Sequence, residues 1–398
     1  MRLFYLTYQE DALLYAGVKK KIQWQARAFE KLGYDVTYSM WQDNQFCFYQ
    51  KGEVSKVELP VSGRRMKQFF LAAETYLKTN QIDTLYIRLD RVTYDVPKIC
   101  RIARENGTKT IVVELPNYPY IHDYLHGARG VKPLSKKLIT QAKILWSAVE
   151  DRLSGRQLKG LVDAAALIGN PDSDFFGVPA IHISNGVDVD SIIPVPQKDT
   201  PEKMVLISVA GTLWWQAYDR LMKGMQAYKT QKSPDAPDVK FIMVGGDAKE
   251  MPGFRKMIQE YGLTDDVECP GFQTGEALDE YYKRADAGVS TLGCYLRGLK
   301  SCSSLKTKEF CAKGLPFIYT LEDSIEQEKP PFALQFSNDP TPIDVGKVVE
   351  FIARCRENSE LPEEEREFAR AHFDWTSILK SVLDFAERQK CGGNCKAP

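Results

Sequence analysis

At 398 residues the chain is too long for one ordinary domain and comfortable for two, each able to bury its own core. Lysine plus arginine and aspartate plus glutamate both number 53, so the net charge is zero and no global field draws nucleic acid; no nucleic-acid partner is expected. Hydrophobic residues make up 43% of the chain and aromatics 11%, the composition of an ordinary globular protein.

The nine cysteines are scattered and odd in number. Cys47, Cys100, Cys269, Cys311 and Cys355 read as small buried residues. Cys391 and Cys395, in the tail CGGNC, supply two ligands where a zinc site needs four, so no metal is expected. The start MRLFYLTYQEDALL lacks a signal-peptide layout and no apolar run reaches 18 residues. A reducing, cytoplasmic location is the expectation.

Residues 2–8 alternate as a buried strand does, and Gly17 lies in the loop leading to a helix over 18–32. That helix carries Ile22, Trp24, Ala26, Phe29 and Leu32 and stops at Gly33, before a strand over 34–39. The order is a βαβ opening and predicts a parallel sheet. Similar strands recur at 84–89, 110–115 and 165–168, with a helix over 95–105. No GxGxxG follows the first strand, so no dinucleotide is indicated, and no cofactor is expected. After the 110–115 strand, Glu114, Asn117 and Tyr118 belong to a stretch stiffened by Pro116 and Pro119, at the carboxyl end of a parallel strand, where such sheets bind ligands. His122 and His126 follow, and read more readily as filler than as ligands.

Residues 130–160 hold seven basic side chains against Glu150 and Asp151, a net +5. Leu138, Leu145, Trp146, Val149 and Leu153 recur between them at mostly helical spacing. This pattern fits contact with anionic lipid headgroups, which would place the protein at the inner face of the membrane. It equally fits a long solvated helix packed on its own domain. The last strand of the first half is 180–185, and a proline-rich linker over 193–201 separates the halves. Asp188-Val189-Asp190 mimics a metal-binding DxD, but its place beside a linker argues against that role.

The second half restarts the rhythm. Strands are expected at 204–210, 241–244, 267–269 and 287–291, and helices at 214–228, 253–261 and 276–285. Gly211-Thr212, Gly245-Gly246 and Gly271-Phe272 stand at strand exits, where glycine lets backbone approach a ligand. In SCSSLKTKEFCAKGLP (301–316), Ser303 or Ser304 reads as an N-cap, 305–312 as a short helix and Gly314 as its stop. Lys306 and Lys308 then sit in the first turn, where each costs roughly 0.3–1 kcal/mol if exposed. An anion bound there accounts for them, because free N–H groups and an ammonium act together. Glu309 could meanwhile accept hydrogen bonds from a diol. The other reading is a solvated helix end with scattered charges.

The pattern S-x-L-K-x-x-E-F-x-A-x-G-x-P over 303–316 resembles the donor-binding segment of retaining glycosyltransferases of family 4, and the flanking segments extend the likeness over nearly the whole chain. Members of this kind serve in bacterial surface-polysaccharide assembly. The resemblance implies a GT-B fold: two Rossmann-like α/β domains facing across a cleft. It sets an acceptor-binding domain at 1–192, a nucleotide-sugar domain at 202–372, and a closing helix and tail at 373–398 that return to the first domain. It further implies transfer of a hexose-type sugar from a UDP- or GDP-linked donor to a glycan or lipid-linked acceptor, with retention. Lys306 would meet the diphosphate and Glu309 the ribose, with Ser304 and Leu305 in the same segment. Gly211 and Thr212 would face the diphosphate, and Gly271 and Phe272 the base; Gly17, Glu114, Asn117 and Tyr118 would lie on the acceptor side. Relatives carry an arginine at Thr212, a lysine near Gln216, a histidine at Pro116 and a first glutamate at Ser301, all absent here. Arg220, Arg297 and Lys300 are the substitutes for the missing phosphate-binding charges, and no catalytic base is named. A nucleotide-sugar hydrolase or epimerase on the same scaffold, or a non-catalytic partner subunit, are the alternatives.

Overall fold

The computed structural model describes residues 1–12, 15–58, 64–121, 124, 133–169, 175–196, 198, 203–211, 213–246, 251–298 and 302–392. The chain forms two compact units: Met1–Ser184 together with Trp375–Pro398, and Asn185–Asp374.

The first unit is built on an eight-stranded sheet. Its strands are β1 (Arg2–Thr7), β2 (Asp35–Gln42), β3 (Gln45–Gln50), β4 (Glu53–Lys56), β5 (Thr84–Arg88), β6 (Thr110–Tyr118), β7 (Ala164–Gly169) and β8 (Ala180–His182), in the order β4-β3-β2-β1-β5-β6-β7-β8. From β2 to β8 across β1 all pairs are parallel, as the βαβ rhythm requires, whereas β2, β3 and β4 pair antiparallel at one edge. The βαβ rhythm alone does not predict that hairpin. Its two-residue turn, Asp43-Asn44, has both residues at positive φ, 48° and 62°, which matches the right-handed twist of the flanking strands.

Helices α1 (Ala16–Lys31), α2 (Arg65–Thr79), α3 (Asp95–Glu105) and α4 (Leu134–Arg156) complete this unit with a C-terminal helix, Trp375–Gly392. One sheet face sends Phe4, Leu6, Leu85, Ile87, Ile111 and Val113 into a core with Phe69 and Phe70 of α2 and Val96 and Ile99 of α3. On the other face Phe29 of α1 stacks edge-on against Tyr5 and Tyr86, and Lys21 of α1 lies over the Trp375 ring.

The second unit carries a six-stranded, wholly parallel sheet in the order β11-β10-β9-β12-β13-β14. These strands are β9 (Lys203–Val209), β10 (Asp238–Val244), β11 (Val267–Gly271), β12 (Ala287–Val289), β13 (Phe317–Tyr319) and β14 (Ala333–Gln335). Between and after them run α5 (Tyr218–Gln231), α6 (Met251–Glu260), α7 (Gly275–Arg284), α8 (Leu305–Lys313), α9 (Asp323–Glu328), α10 (Val345–Glu357) and α11 (Leu361–Phe373). The C-terminal helix of the first unit is α12. The helix expected from residue 214 begins as a 3-10 turn, Trp214–Gln216, and is interrupted by Ala217 in the left-handed region before α5 starts. The segment read as an interdomain linker, 193–201, lies within the second unit where described: the Val195 N–H donates to the Lys313 carbonyl at 2.8 Å.

One buried group in this unit is out of balance. Glu365 of α11 has no solvent exposure, and among the described residues neither carboxylate oxygen finds a hydrogen-bond partner. Burial therefore pushes its pKa well above the ordinary carboxylate range. A group raised in this way stabilises the fold below its unfolded pKa, and that contribution is lost as pH rises. Glu365→Met should raise stability by about 1–3 kcal/mol at pH 7.5 and by progressively less toward pH 4, measured by urea unfolding. A gain that does not vary with pH would show that the carboxyl does not bind a proton on folding.

Candidate functional site

The strand order of the second unit reverses between β9 and β12. Connections leaving the carboxyl ends of these two neighbours run in opposite directions, and open parallel sheets bind ligands at such a point. Three chain segments meet there. They are the exit of β9 up to Gln216, the exit of β12 through the 3-10 turn Cys294–Arg297, and the start of α8.

Helix α8 begins at Leu305 with Ser304 in the extended N-cap conformation and ends at Gly314, whose φ of 64° permits the left-handed stop. The Ser304 hydroxyl makes no cap bond. Instead Glu322, after β13, accepts the Ser304 N–H at 2.8 Å on one oxygen and the Lys308 ammonium on the other. Lys308 and Glu322 are both fully buried. Burial raises the Glu322 pKa despite the attraction of Lys308 and its hydrogen bonds. Two further ties fix this turn. Asn185 donates its N–H to the Ser303 hydroxyl at 2.8 Å and its side-chain amide to the Ser303 carbonyl at 2.7 Å, and the Thr307 and Ser290 hydroxyls share a 3.0 Å bond. Lys308 is therefore a structural residue and not a second anion contact. The signal was in its spacing: positions 305, 308 and 312 share one helix face, and Ala312 is buried.

Lys306 points elsewhere. Its ammonium donates to the Gln216 side-chain oxygen at 2.6 Å, which also accepts from the Thr291 hydroxyl at 3.2 Å. It lies 5.8 Å from the centre of the Tyr218 ring, with the mutually hydrogen-bonded thiols of Cys294 and Cys302 nearby. The residue keeps some surface, but desolvation brings the ammonium down to about 7 from the usual lysine value. Gln216 thus contacts the lysine directly, and neither Gln216 nor Glu322 was singled out as a site residue from the sequence, because neither belongs to a spaced motif.

The other donor-side candidates separate into groups. Arg297 stands in the same neighbourhood, its guanidinium 5.5 Å above the Trp215 ring and within electrostatic reach of Cys294. Glu309 is partly buried, and its charge helps to raise the pKa of buried Tyr282, where desolvation is the larger cause. Gly211 is exposed at the β9 exit. Gly271 has φ +78°, its carbonyl accepts the Gly245 N–H at 2.8 Å, and Phe272 beside it is half-exposed. Gly245 has to be glycine, since a Cβ there would lie 2.1 Å from the Ala210 carbonyl oxygen. Arg220 is a correction. It is buried, and its guanidinium donates to the carbonyls of Leu292, Ser337 (2.9 Å) and Thr341 (2.7 Å), so it braces three loops and offers nothing to phosphate. Thr212, Lys300, Ser301, His122 and His126 lie outside the described residues.

In the first unit Gly17 falls inside the first turn of α1, with open space where a side chain would be. Asn117 is exposed at the end of β6, and Tyr118 packs edge-on against Phe175 at 5.4 Å. Glu114 is the second correction, because it belongs to the middle of a buried strand and not to a loop. Its oxygens meet Lys21 at 3.1 Å, Arg88 at 3.2 Å, Tyr86 at 2.8 Å and Gln25 at 2.7 Å, with no solvent exposure. Burial raises its pKa, but the two cations and two hydrogen bonds outweigh that and leave the carboxyl below its usual range. Lys21 is lowered to about 8 by the same burial. Among the described residues no group of three or more His, Cys, Asp or Glu side chains could hold a metal ion.

A lysine with a pKa near 7 gains a proton when a doubly charged anion arrives, since the anion favours the charged form. Titrating UDP or GDP into the protein at pH 7.5, in buffers of differing ionisation enthalpy, should reveal uptake of about half a proton or more. Affinity should fall as pH rises from 7 to 9, and Lys306→Ala should abolish the uptake and weaken binding by about 1.5–3 kcal/mol. Binding with no buffer dependence and an unaffected variant would remove Lys306 from the site.

Residues 190–293 match the family model described as glycosyl transferases group 1. No curated protein matches the chain in sequence. Among solved structures, sucrose-phosphate synthase from Thermosynechococcus elongatus aligns over 98% of this chain and 100% of its own, at 15% identity and a TM-score of 0.63. The catalytic domain of starch synthase IV from Arabidopsis thaliana, bound to ADP and acarbose, aligns over 98% and 99%, at 11% identity and 0.63. A glycosyltransferase from Rickettsia africae aligns over 98% of each chain, at 12% identity and 0.61. The chain has the GT-B fold of these enzymes, its segment 190–293 carries the group 1 glycosyl transferase pattern, and together these support a glycosyltransferase.

Proposed function

We propose that the protein transfers a hexose-type sugar, with retention, from a UDP- or GDP-linked donor to a glycan or lipid-linked acceptor. The observation that carries this reading is the placement of Lys306. It is a desolvated cation in the first turn of a helix, at the point where the sheet order reverses. An acceptor oxygen bonds to the anomeric carbon as the bond from that carbon to the leaving phosphate oxygen breaks. The acceptor proton passes to the departing diphosphate on the same face, so no protein nucleophile is required. Negative charge develops on the diphosphate, and Lys306, assisted by Arg297 and Lys300, is the group aimed at it. Glu309 is a positioning residue that accepts hydrogen bonds from the ribose diol. Gly211, Thr212, Ser304 and Leu305 complete the phosphate side, and Gly271 and Phe272 the base side. Gly17, Asn117 and Tyr118 lie on the acceptor side.

Incubation with a panel of UDP- and GDP-hexoses and an oligosaccharide or lipid-linked acceptor tests the reading. Product should carry the donor's anomeric configuration by NMR, and Lys306→Ala should slow transfer by about 100-fold or more. Nucleoside diphosphate release that never requires an acceptor would assign a hydrolase instead. The role of Glu309 is separable. Replacing the donor ribose by 2′-deoxyribose should cost the native protein about 1 kcal/mol or more in binding, and should cost Glu309→Gln less. Equal losses in both would mean that the carboxylate does not touch the 2′-hydroxyl.

A further inference from the structure

Helix α4 is mounted inside out. Leu134, Leu138, Ile139, Leu145, Trp146, Val149 and Leu153 are all exposed, Leu134 by 70% and Trp146 by 67%. At about 100° per residue they fall within a single arc of about 140°. The opposite side faces the protein and is polar or small: Asp151, Ser154 and Gly155 are the buried residues of the helix.

The attachment explains the orientation. The Asp151 carboxylate accepts the Val92 N–H at 2.7 Å, and Glu150 pairs with Arg91 at 2.8 Å. The Phe176 ring sits against the helix backbone at Gly155, where a Cβ would be 2.1 Å from it. Asp151 thus faces the protein, while Glu150, at the edge of the apolar arc, is neutralised by Arg91. Arg152 and Arg156 fall within one edge of the apolar arc, and Lys143 and Lys136 lie about 40° and 60° beyond its other edge; all four are exposed, and none has a carboxylate partner among the described residues. The outward surface of α4 is therefore apolar and cationic at once, and the one carboxylate at its edge, Glu150, is already paired with Arg91.

We propose that α4 lies on an anionic lipid leaflet, with its apolar arc among the acyl chains and its lysines and arginines at the phosphates. An interfacial helix of this kind gains from buried apolar area and from electrostatic attraction together, and each basic residue near a charged surface adds to the second. A second copy of this chain is a poorer occupant, since two such faces would bring their cations together. No helix among the described residues is long and apolar enough to cross a membrane, so this contact would be peripheral.

The full chain should co-sediment with vesicles of phosphatidylcholine containing about a third phosphatidylglycerol at low salt. It should bind phosphatidylcholine alone at least about tenfold more weakly. Trp146 fluorescence should shift to the blue on binding, a change lost in Trp146→Phe. The double variants Leu145→Ser/Trp146→Ser and Lys136→Glu/Lys143→Glu should each lower partitioning at least about tenfold. These side chains are exposed, so melting temperature and nucleoside diphosphate affinity should stay unchanged. Failure to pellet with anionic vesicles, equal binding to neutral ones, or binding insensitive to both variants would overturn the proposal. A dimer in sedimentation equilibrium that Leu145→Ser/Trp146→Ser dissociates, with no vesicle binding, would assign the face to a second copy.

Discussion

At the edge that carries the candidate site, the second unit is held by a buried ion pair, Lys308 with Glu322. Taking two charges out of water costs several kcal/mol per ion, and attraction offsets this only when hydrogen bonding is also satisfied. Here it is, because the second Glu322 oxygen holds the Ser304 N–H at the entry to α8. The pair joins the exit of β13 to the first turn of α8, and the Thr307–Ser290 bond joins that turn to the exit of β12. Loss of either ionic partner would leave the other charged and uncompensated in the interior, a change typically costing about 3–5 kcal/mol.

This arrangement gives two lysines, two positions apart, opposite tasks. On a helix they are about 200° apart, so when Lys308 is drawn inward Lys306 is turned outward, toward Gln216 and the meeting of the β9 and β12 exits. Gln216 accepts from the ammonium without adding charge, whereas relatives in the resembled family carry a lysine nearby. Desolvation of this ammonium leaves its protonation sensitive to any anion that approaches it.

Hydrophobic spacing was enough to locate most strands and helices of both units, because buried parallel strands and one-sided helices leave strong periodic traces. It missed the β3–β4 hairpin, where edge residues alternate weakly and every residue of β4 is exposed. It also missed α2, although Phe69, Phe70, Ala73 and Leu77 lie at helical spacing. In the segment that carries Lys306, the first-turn lysine and the Gly314 stop were legible as a local pattern. Arg220 and Glu114 were misread for one reason: a charged residue near a strand exit looks the same in sequence whether it faces solvent or a buried partner. The partners of Arg220 lie 72, 117 and 121 positions away and those of Glu114 up to 93, a distance no local motif spans.

The first unit is discontinuous in the chain, and this has a consequence for how it is made. Helix α12 supplies Trp375 beneath Lys21 and packs on α1, β6 and β7, and Lys390 reaches the Thr110 hydroxyl at 2.7 Å. During vectorial synthesis residues 1–184 leave the ribosome with that flank uncovered and wait while the whole second unit, 190 residues from Asn185 to Asp374, is translated. The apolar surface awaiting α12 is open to solvent, or to a chaperone, throughout that interval. A segment translated after the second unit is thus what finishes the first.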